Sequence, residues 1–150
     1  MITDALLQLS AAQAVTVTAV STNTIDLMQN RDLGAGEDLY ASFTVDTSAT
    51  AAGAATVTFQ VISSASANLS SPTVLVQTDA IGKAELTAGR RPVVLGVAQS
   101  ILAAQPVGQR YLGVQYVVST GPLTAGAFTC FLGIDKPDVG KNYPSGFTAA

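Results

Sequence analysis

The sequence predicts an all-β fold, an antiparallel β-sandwich of jelly-roll-like form, followed by an extended C-terminal arm. Three observations carry that expectation. Apolar and hydroxylated residues alternate with period 2 in run after run, the runs are short, and glycine or proline turn signals separate most of them. Short strands at such spacing make a sandwich or barrel, and a jelly roll is the eight-strand form expected.

Taken in order, residues 1–13, which carry Leu6, Leu7 and Leu9, read as an N-terminal lead-in with room for a short helix, and the body of the sandwich is expected over residues 14–134. Residues 15–20 alternate Val and Ala with Thr and predict a half-buried strand. Residues 25–27 and 83–86 predict two short strands. Leu39 opens a strand over residues 39–45, and residues 56–61 set Val57, Phe59 and Val61 on one face. Further β-branched or aromatic runs at residues 74–77, 92–97, 111–118 and 127–134 complete the set. Residues 97–104 have room for two helical turns and read as a connection. The last segment, residues 135–150, changes character, with Tyr143, Pro144 and Phe147 among glycines, prolines and lysines. It reads as an arm outside the sandwich. Ordering it costs more backbone entropy than burying Tyr143 and Phe147 returns, so the arm suits a partner surface.

Composition excludes more than it assigns. The 150 residues fit a single domain with one core. The net charge of −3 argues against nucleic acid as a partner, because phosphates demand a basic patch. With no His and one Cys, imidazole zinc sites, His-based triads and internal disulfides are ruled out. Met1-Ile2-Thr3-Asp4 sets an acid where a secretory leader has positive charge, so no signal peptide is expected. The charge-poor stretches at residues 5–25 and 47–78 are laced with Ser, Thr and Gln, so no membrane association is expected.

Chemistry-bearing candidates are sparse. Arg31, Asp32, Glu37 and Asp38 flank Gly34 and Gly36, a cluster in which the carboxylates of Asp32, Glu37 and Asp38 suggest a cation loop but whose spacing fits no EF-hand. A glycine-permitted turn with solvated charges is the preferred reading. Arg90 and Arg91 suit a clamp for a phosphate or a partner carboxylate or, preferably, a solvated turn, and in an assembly they are interface candidates that could pair across subunits. Tyr111 and Tyr116 lie five apart and so on opposite strand faces, one in the core and one outward, where it could stack on a sugar. Cys130 has no basic neighbour in sequence and reads as a buried small side chain. No catalytic residue, metal ligand or cofactor is expected, and the chain is not expected to be an enzyme.

Only 11% of residues are charged, against roughly 25–35% wanted on the surface of a domain that stands alone. Outward strand positions are mostly Thr, Ser, Ala and Gln, which shed water at little cost. Much of the surface is therefore expected to be covered by other subunits.

A series of short motifs resembles the capsid cement (head decoration) proteins of tailed bacteriophages. These are Ala12-Gln13-Ala14-Val15-Thr16, Ser21-Thr22-Asn23-Thr24-Ile25-Asp26-Leu27 and Arg31-Asp32-Leu33-Gly34-Ala35-Gly36-Glu37. Leu86-Thr87-Ala88-Gly89-Arg90, Arg110-Tyr111-Leu112-Gly113-Val114-Gln115-Tyr116, Gly121-Pro122-Leu123-Thr124-Ala125-Gly126 and Tyr143-Pro144-Ser145-Gly146-Phe147 extend it in order along the chain. The resemblance implies a structural virion protein, made in the bacterial cytoplasm, that forms homotrimers on the outer capsid surface and clamps neighbouring major capsid proteins. It implies an interface role for the turn from Arg31 to Glu37 and the arm from Tyr143 to Phe147. Residues 97–104 depart from the pattern. The alternative is a carbohydrate- or receptor-binding jelly-roll module of a phage tail or adhesin, built on a tyrosine platform.

Overall fold

A computed structural model describes residues 3–27 and 37–135. Ten strands occur among them: β1 (Gln8–Ala14), β2 (Ala19–Val20), β3 (Ile25–Asp26), β4 (Leu39–Thr50), β5 (Thr56–Ser64), β6 (Thr73–Gln77), β7 (Ile81–Gly82), β8 (Val93–Val97), β9 (Tyr111–Ser119) and β10 (Ala125–Gly133). One sheet has the order β1-β10-β4-β8 and the other β2-β9-β5-β6, with β3 joined to β9 and β7 to β5. Every pairing is antiparallel. Setting the two-residue strands β3 and β7 aside, eight strands divide four and four between two sheets in the order of a jelly roll. The expected all-β sandwich is thus the fold.

Alternation decides which side chains meet between the sheets. Leu39, Ala41, Phe43 and Val45 of β4 face Val57, Phe59 and Val61 of β5 and Leu112, Val114 and Tyr116 of β9, all at most 5% exposed. Four rings occupy the centre, two from each sheet. Phe43 lies 5.0 Å from Phe59, and Tyr116 stacks on Phe128 at 5.3 Å with 21° between the planes. Phe59 meets Tyr116 and Phe128 edge-on at 5.8 and 5.3 Å. These offset and edge-to-face geometries are the preferred ones for aromatic pairs. The Tyr116 hydroxyl would be stranded there, but Ser10 of β1, itself fully buried, hydrogen-bonds it.

Three expectations are corrected. The lead-in over residues 1–13 was expected outside the body, yet β1 lies within it and forms the edge of the four-stranded sheet. Its alternation is hidden by two register irregularities against β10, and within the second, between Ser10 and Gln13, Ala12 takes a left-handed φ of 41°. Thr129 holds that bulge, its hydroxyl accepting from the Ala12 amide at 2.8 Å and donating to Asp46 at 2.7 Å. Residues 15–20 were expected as one strand, but only Ala19 and Val20 join a ladder. The rest must cross from one sheet to the other, so Val15 turns into the core while Val17 is 60% exposed. Residues 83–86 hold a 3-10 turn, Lys83–Glu85, and the ladder residues are Ile81 and Gly82 just before it. Leu86 is fully buried and its carbonyl accepts from Ala49 at 2.8 Å, which pins this connection to β4.

Over residues 97–104 the chain forms a short helix, α1 (Gln99–Ala103). The C-terminal arm beyond Asp135 lies outside the described residues, as do Arg31 and Asp32.

Truncating Phe59→Ala should cost about 3–5 kcal/mol in denaturant unfolding, because it opens the centre of the ring cluster. Tyr116→Phe should cost about 1–3 kcal/mol by leaving the Ser10 hydroxyl buried and unpaired. The double variant Ser10→Ala with Tyr116→Phe should recover part of that loss, and purely additive losses would show that the hydroxyl pair contributes nothing.

Candidate interaction surface

The expected site residues fall in separate places. Arg90 follows a turn in which Gly89 has a φ of 79°, and its guanidinium donates to the Glu85 carbonyl of the same connection at 2.9 Å. Arg91 beside it is exposed. These arginines stand near the start of β8, where Gly89 donates to the Val45 carbonyl. Glu37 sits toward the other end of β8, where Leu39 pairs with Val97, and its carbonyl accepts from the Gln99 amide group at 2.7 Å. So the structure does not bring Glu37 together with the arginine pair. Arg31, Asp32, Tyr143, Pro144 and Phe147 lie outside the described residues.

Tyr111 and Tyr116 do point to opposite faces. Tyr116 is fully buried and Tyr111 is half-exposed on the outer face of the six-stranded sheet. Arg110 packs over the Tyr111 ring at 5.2 Å and forms a two-pronged ion pair with Asp26 at 2.8 and 2.7 Å. The hydrogen bond that the guanidinium donates to Asp26 is the main reason that its pKa is raised further. This cluster joins residues 84 apart in the sequence, a separation that no local pattern reveals.

The same outer face has a different character toward its centre. Thr58 pairs with Val117, and Gln60 lies between Gln115 and Gln77, so their side chains share one side of the sheet. Thr56 and Ser119 continue the face. Gln60 donates to Gln77 at 2.7 Å. None of these outward residues carries a charge. At the next row the loop after β5 folds back, and Leu69, 2% exposed, rests where Gly113 has no side chain. A Cβ at Gly113 would lie 2.4 Å from Leu69 Cδ1 and 3.0 Å from Ser21 Oγ. The platform is thus bounded by a packed loop at one row and by the Asp26–Arg110 pair beyond it. Sequence reading found its composition, in the Thr and Gln positions of the alternating runs, but not their gathering on one face.

Cys130 lies fully buried on the inner side of β10, and that burial pushes its thiol pKa up. Burial also raises the Tyr116 phenol, helped by nearby Cys130 and opposed by the Ser10 hydrogen bond. Among the described residues, no cluster of His, Cys, Asp and Glu is placed to hold a metal ion. No described helix is long and apolar enough to cross a membrane.

In a scan against protein-family models, the Bbp16 model matches residues 9–132. The matched stretch runs from β1 to the penultimate residue of β10 and so covers both sheets. No curated protein is similar enough to count as a match.

Both raised groups stay protonated in the fold while the unfolded chain ionises them from their ordinary values of 9.0 and 10.0. Stability should therefore be insensitive to these groups below about pH 8 and fall above about pH 9, by up to ~1.4 kcal/mol per pH unit per group. Tyr116→Phe should remove the component that sets in above pH 10. Denaturation midpoints measured from pH 7 to 11 test this, and in the native protein Cys130 should resist thiol reagents at pH 8 that label it once unfolded.

Proposed function

The chain belongs to the Bbp16 family, and from the surfaces of its sandwich we propose that it is a structural virion protein, a cement subunit on the outside of a phage head. The observation that carries this reading is the uncharged platform of Thr58, Gln60, Gln77, Gln115 and Val117 on the six-stranded sheet. Threonine and glutamine shed water more cheaply than lysine or glutamate, and the centres of protein interfaces are depleted in charge for that reason. The motif resemblance to capsid cement proteins supplies the partners: sister copies, as a homotrimer, and the major capsid protein. The outer capsid surface follows as its station, and an acidic chain of net charge −3 suits a place away from packaged DNA.

The mechanism is mass action. A protein that binds only the assembled, expanded shell stabilises that state by its differential affinity. Three linked copies turn a modest contact into firm attachment, because the second and third contacts form at high effective concentration. Neither step needs a catalytic group. For the sugar-binding alternative Tyr111 is the outward tyrosine, and Arg110 already packs over its ring.

Introducing Thr58→Lys with Gln115→Lys should leave unfolding within about 0.5 kcal/mol of the parent, as surface changes do. In light scattering and co-sedimentation with expanded heads, the variant should lose self-association, head binding or both. Unchanged behaviour in both assays would remove the platform from the interface. Deleting residues 135–150 should leave the sandwich folded while weakening attachment, and full decoration by the truncated chain would dismiss the arm.

A further inference from the structure

On the outer face of the four-stranded sheet, Tyr40 is the register partner of Gly133 on β10 and of Gly96 on β8. Its ring leans toward Gly96, where an added Cβ would lie 3.5 Å from Tyr40 Cε1. The other side of the row is open. A Cβ at Gly133 would meet nothing nearer than the Asp135 amide nitrogen, at 4.0 Å. A slot of about 110 Å³ occupies this gap, walled by Tyr40, Phe131 and Leu7. Ile134 on its rim is 50% exposed, and Leu6 beside Leu7 is 70% exposed. Apolar surface gathered in this way marks a contact.

Where the chain goes next says what covers it. Strand β10 ends at Gly133, Ile134 and Asp135 belong to the slot's lining, and residues 136–150 continue from that rim. Those residues carry two rings, Tyr143 and Phe147. A closed apolar cavity of about 150 Å³ admits benzene, so a slot of this size with an open mouth takes one ring and no more. Aromatic walls favour a ring over an aliphatic chain. Tyr143 would carry a hydroxyl in among apolar walls at a cost that Phe147 avoids. Charge agrees with this choice of segment: Asp4 and Asp135 stand in the lining, no lysine or arginine does, and the segment brings Lys136 and Lys141.

We propose that Phe147 of the chain's own C-terminal segment docks in the slot over Gly133 and covers its apolar rim. The entropy that weighs against ordering the whole segment does not apply, because only the residues in contact need be fixed. The stretch between Asp135 and Phe147 closes as a loop, at a cost that grows only with the logarithm of its length. Docking concerns the single chain, so it goes beyond the shell reading and does not rest on it.

The chain has no tryptophan, so Phe147→Trp in the full-length protein reports on this position alone. Its emission should be blue-shifted from that of the urea-unfolded chain and shielded from acrylamide. The tether supplies the ring at an effective concentration on the order of millimolar, so the shift should persist on dilution from about 100 to 1 µM. Adding Gly133→Leu, which fills the slot from a position with open space above it, should return the emission to the solvent-exposed value with circular dichroism unchanged. In the tryptophan-free protein, Phe147→Ala should move the methyl resonances of Leu7 and Ile134, while Tyr143→Ala should leave them in place. Solvent-like emission, a blue shift that survives Gly133→Leu, or methyl resonances that ignore Phe147→Ala overturns the proposal. So does a blue shift that fades on dilution, since a sister copy's ring would then fill the slot. Head co-sedimentation is a separate readout, so a failure here and a failure of the cement reading remain distinguishable.

Discussion

The sandwich depends on one meeting of rings. Phe43 and Phe128 from one sheet and Phe59 and Tyr116 from the other make contact at centroid distances of 5.0 to 6.1 Å. The four residues sit on four separate strands, so no pair of neighbouring strands can satisfy the cluster alone. The buried hydroxyl of Tyr116 adds a directional demand that the apolar rings do not. It fixes β1 through Ser10, 106 residues earlier in the chain, and so ties the edge of one sheet to a central strand of the other.

Such a core explains why the chain tolerates so few charges. Specificity of register comes from ring geometry and from alternation, with little left for ion pairs to decide. The Asp26–Arg110 pair is the one salt bridge among the described residues, and it secures a short strand at the margin of the six-stranded sheet. Between that margin and the opposite end, the outward residues of β5 and β9 are left uncharged.

Much of this was legible in the sequence, and the failures have physical reasons. Val57, Phe59 and Val61 announce their strand because an undisturbed ladder preserves period 2. Ser10 and Ala12 do not, because a bulge held by Thr129 shifts the phase partway along β1. Val15 and Val17 alternate like a strand, yet the demand to change sheets overrides the pattern. Cys130 was readable as a core side chain from its setting in an apolar run. The surface was harder: Gln60, Gln77 and Gln115 look unremarkable singly, and only register gathers them.

The twice-bulged β1 has a consequence for crowding. Edge strands with open backbone groups invite their like to zip on, and that hazard grows when many identical, weakly charged molecules are packed together. At Ala12 the amide is already taken by a side-chain oxygen and the backbone veers into left-handed φ, so a straight intruder would find its hydrogen-bonding row interrupted. A kink in the rim thus lets neighbours lie close without fusing into one continuous ribbon.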